Sequence, residues 1–208
     1  MRRYMLIRAA LFTSVLAVWS GRADAEEFFA RLEGFQELGS LPNVTQNPST
    51  GVVTAANPTG AILSDARGTL KLDLDEKAGT ATWTLTYSDV GTTPPLTGTV
   101  TQAHIHFGKS RDSGGIMVFF CTNLTPPVGP PQPQACPLNS GSVSGTFTKD
   151  DVLAISGQNV KALDFDALAD ALTSNTAYAN IHTTALGAGE IRGQIHAVEP
   201  DHDHDHRK

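Results

Sequence analysis

The residues in this sequence with the greatest capacity for chemistry are two closely spaced histidines. His104 and His106 lie two positions apart in AHIHFG (residues 103–108), a run in which apolar and polar residues alternate. Successive side chains of a strand point to opposite faces, so both imidazoles project away from Ala103 and Ile105. Residues at this spacing stand about 6 to 7 Å apart along the backbone, and their rings can reach one ion.

A third histidine occurs in a later segment with the same alternation. In YANIHT (residues 178–183) Ala179 and Ile181 are predicted to face the core, which leaves Tyr178, Asn180 and His182 on the opposite, outer face. If the two strands are close together, His104, His106 and His182 converge on that face. Three imidazole nitrogens make a site that zinc or copper accepts, with a further position open to water or a carboxylate.

The block EIRGQIHAV (residues 190–198) predicts a last strand and supplies a structural alternative. Its polar side chains are predicted to turn outward: Glu190, Arg192, Gln194 and His196. In this alternative the histidines hydrogen-bond loops that cross the face, and a salt bridge between Glu190 and Arg192 locks the strand. Asn180, Glu190 and Arg192 then support the site or the fold. The residues alone do not decide between a metal site and a brace.

The first 25 residues have the features of a secretory signal peptide. A basic start precedes an apolar stretch over residues 9–19, and Ala23-Asp24-Ala25 ends the segment with small residues, so cleavage is expected after Ala25. Arg2-Arg3 also permits twin-arginine export. No later apolar run reaches the roughly 18 residues that a membrane span needs. The sequence thus predicts an extracytoplasmic protein, periplasmic or secreted, without a membrane span.

The charge of the chain argues against nucleic acid as a partner. The formal net charge is −6, and it becomes −9 once the signal peptide takes away four arginines and one aspartate. An acidic protein repels polyphosphate. Residues 199–208, EPDHDHDHRK, have no apolar face and are predicted to be a disordered tail, which either collects metal through its histidines or is only solvated.

Two cysteines remain for an exported protein to oxidise. Cys121 and Cys136 have 14 residues between them, and an isolated pair in an oxidising compartment is expected to form a disulfide. Closing a loop of this length stabilises the fold by about 3 kcal/mol. The many prolines of the intervening segment are incompatible with a central strand or a helix. The pair therefore predicts a stapled surface loop.

Short alternating segments dominate the remainder of the chain. Leu70, Leu72 and Leu74 share one face of a first predicted strand, and threonines alternate with apolar residues over residues 80–87. Residues 75–79 form the hairpin turn between them. Further strands are predicted over residues 27–33, 103–107, 115–120, 142–147, 177–182 and 190–198.

Two helical segments complete the predicted elements. A helix is predicted over residues 165–174 with Asp164 as its cap, and a helical turn after Thr148 with Asp151 closing a capping box. Residues 39–60, rich in proline, asparagine, serine and threonine, are predicted to be a long loop. So many short strands in one domain predict an all-β sandwich or barrel with one or two short helices, spanning residues 26–198.

Four motifs, taken in order, resemble the CHRD domain, a module found in chordin and in many exported bacterial proteins. They are FFARLEGFQEL, AHIHFG followed by GGIMV, VSGTFTKDDV, and AYANIHTTALGAGEIRGQI. The chain departs from the family after Glu37, where LGSLP replaces a frequent Pro-Pro, so the shape of that loop does not carry over.

The resemblance implies a Greek-key sandwich related to copper-zinc superoxide dismutase, whose metal-binding strand also has a His-x-His. It implies no activity, because a fold does not determine a function. The sequence contains no nucleophile elbow, P-loop or HExxH motif, and no catalytic residue is assigned. We expect a binding module for a protein, a polysaccharide or a metal, with copper or zinc as the candidate cofactor. The alternative is a single-metal redox protein related to the dismutase.

Overall fold

The structure, a computed structural model, describes residues 25–38, 60–94, 96–125, 129 and 131–199. Within these ranges the chain is almost entirely antiparallel strand. The strands are β1 (Glu26–Glu33), β2 (Arg67–Asp75), β3 (Thr80–Ser88), β4 (Val100–Phe107), β5 (Ile116–Thr122), β6 (Gly141–Phe147), β7 (Ala177–Thr183), β8 (Ile191–Gln194) and β9 (His196–Ala197). One helix, α1 (Phe165–Thr173), precedes β7, and short 3-10 turns cover Gly34–Gln36, Lys149–Asp151 and Ser156–Gln158.

The strands form one continuous sheet that curls into a nearly closed barrel. Its order is β5-β4-β7-β8-β1-β2-β3-β6, with β9 paired to β1. The two end strands are brought together by an aromatic cluster in which Trp83 of β3 packs against Phe120 of β5 and Phe147 of β6, at ring-centroid distances of 4.8 and 5.1 Å. The all-β prediction is confirmed.

Alternation along the strands places the apolar side chains inside the barrel. Leu70, Leu72 and Leu74 of β2 are buried, and so are Trp83 and Leu85 of β3. β2 and β3 pair along their whole length across the predicted hairpin, so these residues lie side by side. Burying each such side chain stabilises the fold by about 1.5–3 kcal/mol.

The predicted helix and helical turn are both present. Asp164 accepts a hydrogen bond from the Ala167 amide at 3.2 Å and caps α1. Thr148 and Asp151 form the predicted capping box, in which each side chain accepts from the backbone of the other end. In the described part of the chain no helix is long and apolar enough to cross a membrane.

Cys121 and Cys136 form the predicted disulfide. Its setting differs from a bridge that lies wholly in a loop, because Cys121 belongs to β5 and is fully buried. The bridge therefore ties the proline-containing segment to the core of the barrel. Asn123 adds to this tie, since its side chain donates to the Cys136 carbonyl and accepts from the Cys136 amide.

Two predictions about the last strand need correction. The predicted strand over residues 190–198 is divided into β8, which pairs with β7, and β9, which pairs with β1. Ile195 lies between them, donates to the Ala177 carbonyl and buries its side chain. Of the residues predicted to turn outward only His196 is exposed, since Glu190, Arg192 and Gln194 are buried.

Three sequence predictions concern segments beyond the described ranges. The signal peptide over residues 1–25 falls there except for Ala25, the loop over residues 39–60 except for Gly60, and the tail over residues 199–208 except for Glu199.

Candidate metal centre

Strand register brings the three predicted histidines to one face of the sheet. β4 and β7 are antiparallel neighbours, with His104 opposite Asn180 and His106 opposite Tyr178. His182 lies opposite Gln102 in the same register. Directly opposed residues share a face, so the histidines of both strands project to the same side. The convergence predicted from alternation is found in the structure.

This face is a second, polar interior rather than an outer surface. The exposed fractions of His104, His106 and His182 are only 1%, 9% and 4%. Two loops cover them, because carbonyls of Gly114 and Gly187 lie against the rings. Strand alternation identifies the face but not the loops that cross it, which is why the sequence predicted an exposed site.

The three rings lie close enough to share one ion. His104 is central, with its ring centroid 4.6 Å from that of His106 and 4.4 Å from that of His182. One nitrogen of each ring lies within 4.8 Å of the others. Ligand nitrogens around a tetrahedral zinc are about 3.4 Å apart for Zn–N bonds near 2.1 Å, so binding would draw the rings together modestly.

Hydrogen bonds to carbonyls determine the tautomers of two histidines. Nδ1 of His106 lies 2.8 Å from the Gly114 carbonyl, and Nδ1 of His182 lies 2.9 Å from the Gly187 carbonyl. A carbonyl oxygen only accepts, so each Nδ1 must carry the proton. In the neutral ring Nε2 then has a free lone pair, the arrangement that orients metal-binding histidines.

All three histidines are held neutral by their environment. Burial, with small contributions from neighbouring charges, lowers the pKa of His106 and His182 to about 4 against the restoring effect of the carbonyl contacts. Burial also lowers the pKa of His104 well below its ordinary value, and the adjacent His182 and His106 lower it further. Neutral imidazole is the form that binds a metal.

The lone pairs that face the centre of the cluster have no partner among the described residues. Nε2 of His106, Nε2 of His182 and both ring nitrogens of His104 are buried without a hydrogen bond there. Leaving a buried polar atom unpaired costs about 1–3 kcal/mol. Such atoms are rare in native proteins and call for an unseen water or ion.

A stack of three planar groups supports His106. The ring of Tyr178, on β7, lies parallel to the His106 ring with centroids 4.7 Å apart. The guanidinium carbon of Arg192 lies 3.4 Å from the centroid of the same Tyr178 ring. Arg192 also donates to the Lys109 carbonyl at 2.8 Å, which fastens the loop over the site. Cation-π contacts of this kind stabilise by about 1–2 kcal/mol when partly desolvated. Arg192 thus contacts Tyr178 and the Lys109 carbonyl, and the sequence analysis had paired it with Glu190 instead.

Glu190 joins the loop before β8 to two other loops, one before β2 and one between β3 and β4. Its carboxylate accepts from the Ser64 hydroxyl at 2.8 Å, from the Gly91 amide at 3.0 Å and from the Thr97 hydroxyl. The salt bridge expected between Glu190 and Arg192 is not formed between these two described residues. The two side chains approach different loops, since Glu190 accepts from Ser64, Gly91 and Thr97, whereas Arg192 donates to the Lys109 carbonyl.

Asn180 supports the site through a residue that the sequence analysis did not single out. Its amide donates to both carboxylate oxygens of Glu37, at 3.2 and 3.0 Å, and Glu37 is only 2% exposed. Gly189 adopts φ +130° beside this pair, and a Cβ there would collide with the Glu37 carboxylate. The sequence signal for Glu37 was its place in the FFARLEGFQEL motif.

The architecture and the motifs agree with a comparison against protein-family models, in which the CHRD domain matches residues 28–195. Comparison with curated proteins gave no match, and comparison with solved structures gave none either. The relation to copper-zinc superoxide dismutase thus stays a prediction. Because the family match covers well over half of the chain, the protein belongs to the CHRD-domain family.

Proposed function

We propose that this CHRD domain is an exported binding module that holds copper or zinc through His104, His106 and His182. The observation that carries the proposal is the convergence of three buried ring nitrogens, which lie within 4.8 Å of one another and have no hydrogen-bond partner among the described residues. A water molecule has two hydrogens to donate, so it can satisfy all three nitrogens only when His104 presents its N–H to the water oxygen. A cation satisfies all of them at once.

The hydrogen bonds behind the rings support the same proposal. In metal proteins the ligating histidine donates its other N–H to a carbonyl or a carboxylate, which fixes the tautomer and aims the lone pair. His106 and His182 have this arrangement on two separate loops. Export is supported by the disulfide, since disulfides persist in oxidising compartments.

The test is elemental analysis of the mature protein, purified from the periplasm or medium. The tail histidines, His202, His204 and His206, are replaced by alanine so that they contribute nothing. One copper or zinc per chain is expected, and His106→Ala should abolish it. His196→Ala is the matched control because His196 is exposed and lies outside the cluster. If the wild-type chain binds neither copper nor zinc when these ions are supplied in solution, the proposal fails.

The dismutase-like alternative requires a metal site that a substrate can reach. A redox enzyme must admit its substrate to the ion, whereas here each ring is at least nine-tenths buried. Among the described residues the cluster contains three histidines and no bridge to a second ion. Consumption of superoxide by the metal-loaded protein, lost in His106→Ala, would favour the alternative over a binding role.

A further inference from the structure

The donor set of the cluster brings no negative charge to the ion. Three neutral imidazoles are the ligands, and in the described part of the chain no carboxylate or thiolate joins the group. The nearby carboxylate of Glu37 is turned to the Asn180 amide instead. Any ion in this site therefore keeps its full charge.

Burial makes that charge expensive. The cost of moving an ion out of water scales with the square of its charge, so a divalent ion costs about four times as much as a monovalent ion of the same size. Zinc sites with three histidines usually complete their shell with water or hydroxide. Here the loops that carry Gly114 and Gly187 cover the rings, and the edge of Phe119 lies against His104 with centroids 5.1 Å apart.

A fixed cation adds to the disadvantage of a divalent ion. The guanidinium of Arg192 lies behind the Tyr178 ring, which in turn is stacked on His106. The two stacking distances, 3.4 Å from the guanidinium carbon to the Tyr178 centroid and 4.7 Å between the Tyr178 and His106 centroids, bring this charge close enough to act on an ion in the cluster. Repulsion by this charge is twice as large for a divalent ion as for a monovalent one.

We infer that the site selects monovalent copper over zinc and divalent copper, an inference that rests on the proposed metal-binding function. Imidazole is among the ligands that suit copper, and closed-shell monovalent copper accepts a coordination number of two or three without an anionic ligand. Among the ions that imidazole binds well, it is the one whose charge and coordination number match this site. The bound species is then a stored or transferred ion, and no electron transfer accompanies binding.

The test is metal competition on the mature protein with alanine at the three tail histidines. Copper is supplied anaerobically as its monovalent complex with bicinchoninate, and zinc is supplied in equal amount. We expect one copper per chain, at least about a hundredfold preference over zinc, and a three-coordinate X-ray absorption spectrum. One zinc per chain retained against monovalent copper would overturn the inference while leaving the proposed function standing. Uptake of neither metal would remove both.

Substitution of Arg192 tests the charge argument separately. Arg192→Gln should reduce the preference for monovalent copper over zinc by about tenfold, since it removes one nearby positive charge. Arg192→Lys retains the charge and should retain the preference. Arg31→Gln, at an exposed position of β1, is the matched control and should change nothing. An unchanged preference in folded Arg192→Gln would overturn the inference, and if that variant does not fold, the competition on the wild-type chain decides.

Discussion

Replacing His104 by leucine should stabilise the metal-free protein, and this result separates a binding site from a brace. His104 has two buried ring nitrogens without a partner among the described residues. Removing two atoms that each cost about 1–3 kcal/mol offers a gain of several kcal/mol. The imperfect packing of leucine among the neighbouring rings lowers the free energy of unfolding by about 1.5 kcal/mol. The expected net increase in the free energy of unfolding is about 1–3 kcal/mol.

The assay is urea unfolding of chelator-treated wild-type and His104→Leu protein, followed by tryptophan fluorescence. The midpoint should rise without a change of slope, and the melting temperature should rise by about 2–4 °C for each kcal/mol. His196→Leu is the control, because a change at this exposed position should stay within about 0.5 kcal/mol. With metal present the order should reverse, since only the wild type gains binding energy, about 2.7 kcal/mol at a hundredfold excess over the dissociation constant.

A loss of stability in metal-free His104→Leu would refute the reasoning. If the variant were less stable than the metal-free wild type by more than about 1 kcal/mol, the imidazole must make stabilising contacts that a leucine cannot make. His104 would then be a brace, and the convergence of the three rings would have a structural explanation.

Three further outcomes are expected. Arg192→Ala should lower the free energy of unfolding by about 1–3 kcal/mol in a denaturation assay, while elemental analysis still finds one metal per chain. Loss of the bound metal from the folded variant would contradict the supporting role of Arg192. The metal-free chain should lose stability as the pH falls from 6.5 to 4, because His106 and His182 have pKa values of about 4 in the folded state and bind protons more readily in the unfolded state. The free energy of unfolding should fall by about 3 kcal/mol per histidine over this range. Urea midpoints that do not change with pH would contradict this prediction. Reduction of the Cys121–Cys136 disulfide should lower the free energy of unfolding by about 3 kcal/mol and loosen the segment between the two cysteines, while circular dichroism still shows the β-sheet signal of the barrel. Two free thiols in the exported, alkylated protein would show that the disulfide does not form.

Much of the fold could be predicted because each strand carries a strong local signal. Leu70, Leu72 and Leu74 alternate with polar residues, and the structure buries all three. Asp164 precedes an apolar stripe, and it caps the helix. The division between β8 and β9 had no such signal, because Ile195 continues the alternation of the strand at the point where pairing passes from β7 to β1. Local pattern specifies which face is apolar, and tertiary contacts decide where pairing stops.

The candidate site was predictable only in part for a related reason. The convergence of the histidines follows from alternation together with the pairing of β4 and β7. The burial of that face depends on the loops that cross it, and their positions are set by distant contacts such as that between Arg192 and the Lys109 carbonyl. Glu37 acts through the same kind of contact, and no local periodicity in the sequence identifies such a partner. Tyr178 differs, because it lies opposite His106 on the face that alternation identifies.

The choice between brace and metal ligand is not exclusive for two of the histidines. His106 and His182 each use Nδ1 to hold a loop and keep Nε2 free toward the centre of the cluster. Glu190, by contrast, has its carboxylate fully engaged by three donors, as a purely structural residue should. His104 is the opposite case, with neither nitrogen bonded to any described residue. The loops therefore hold His106 and His182 in place, while His104 makes no hydrogen bond to a described residue. Because of this asymmetry, the metal-site and brace explanations predict changes of opposite sign in the free energy of unfolding when His104 is replaced.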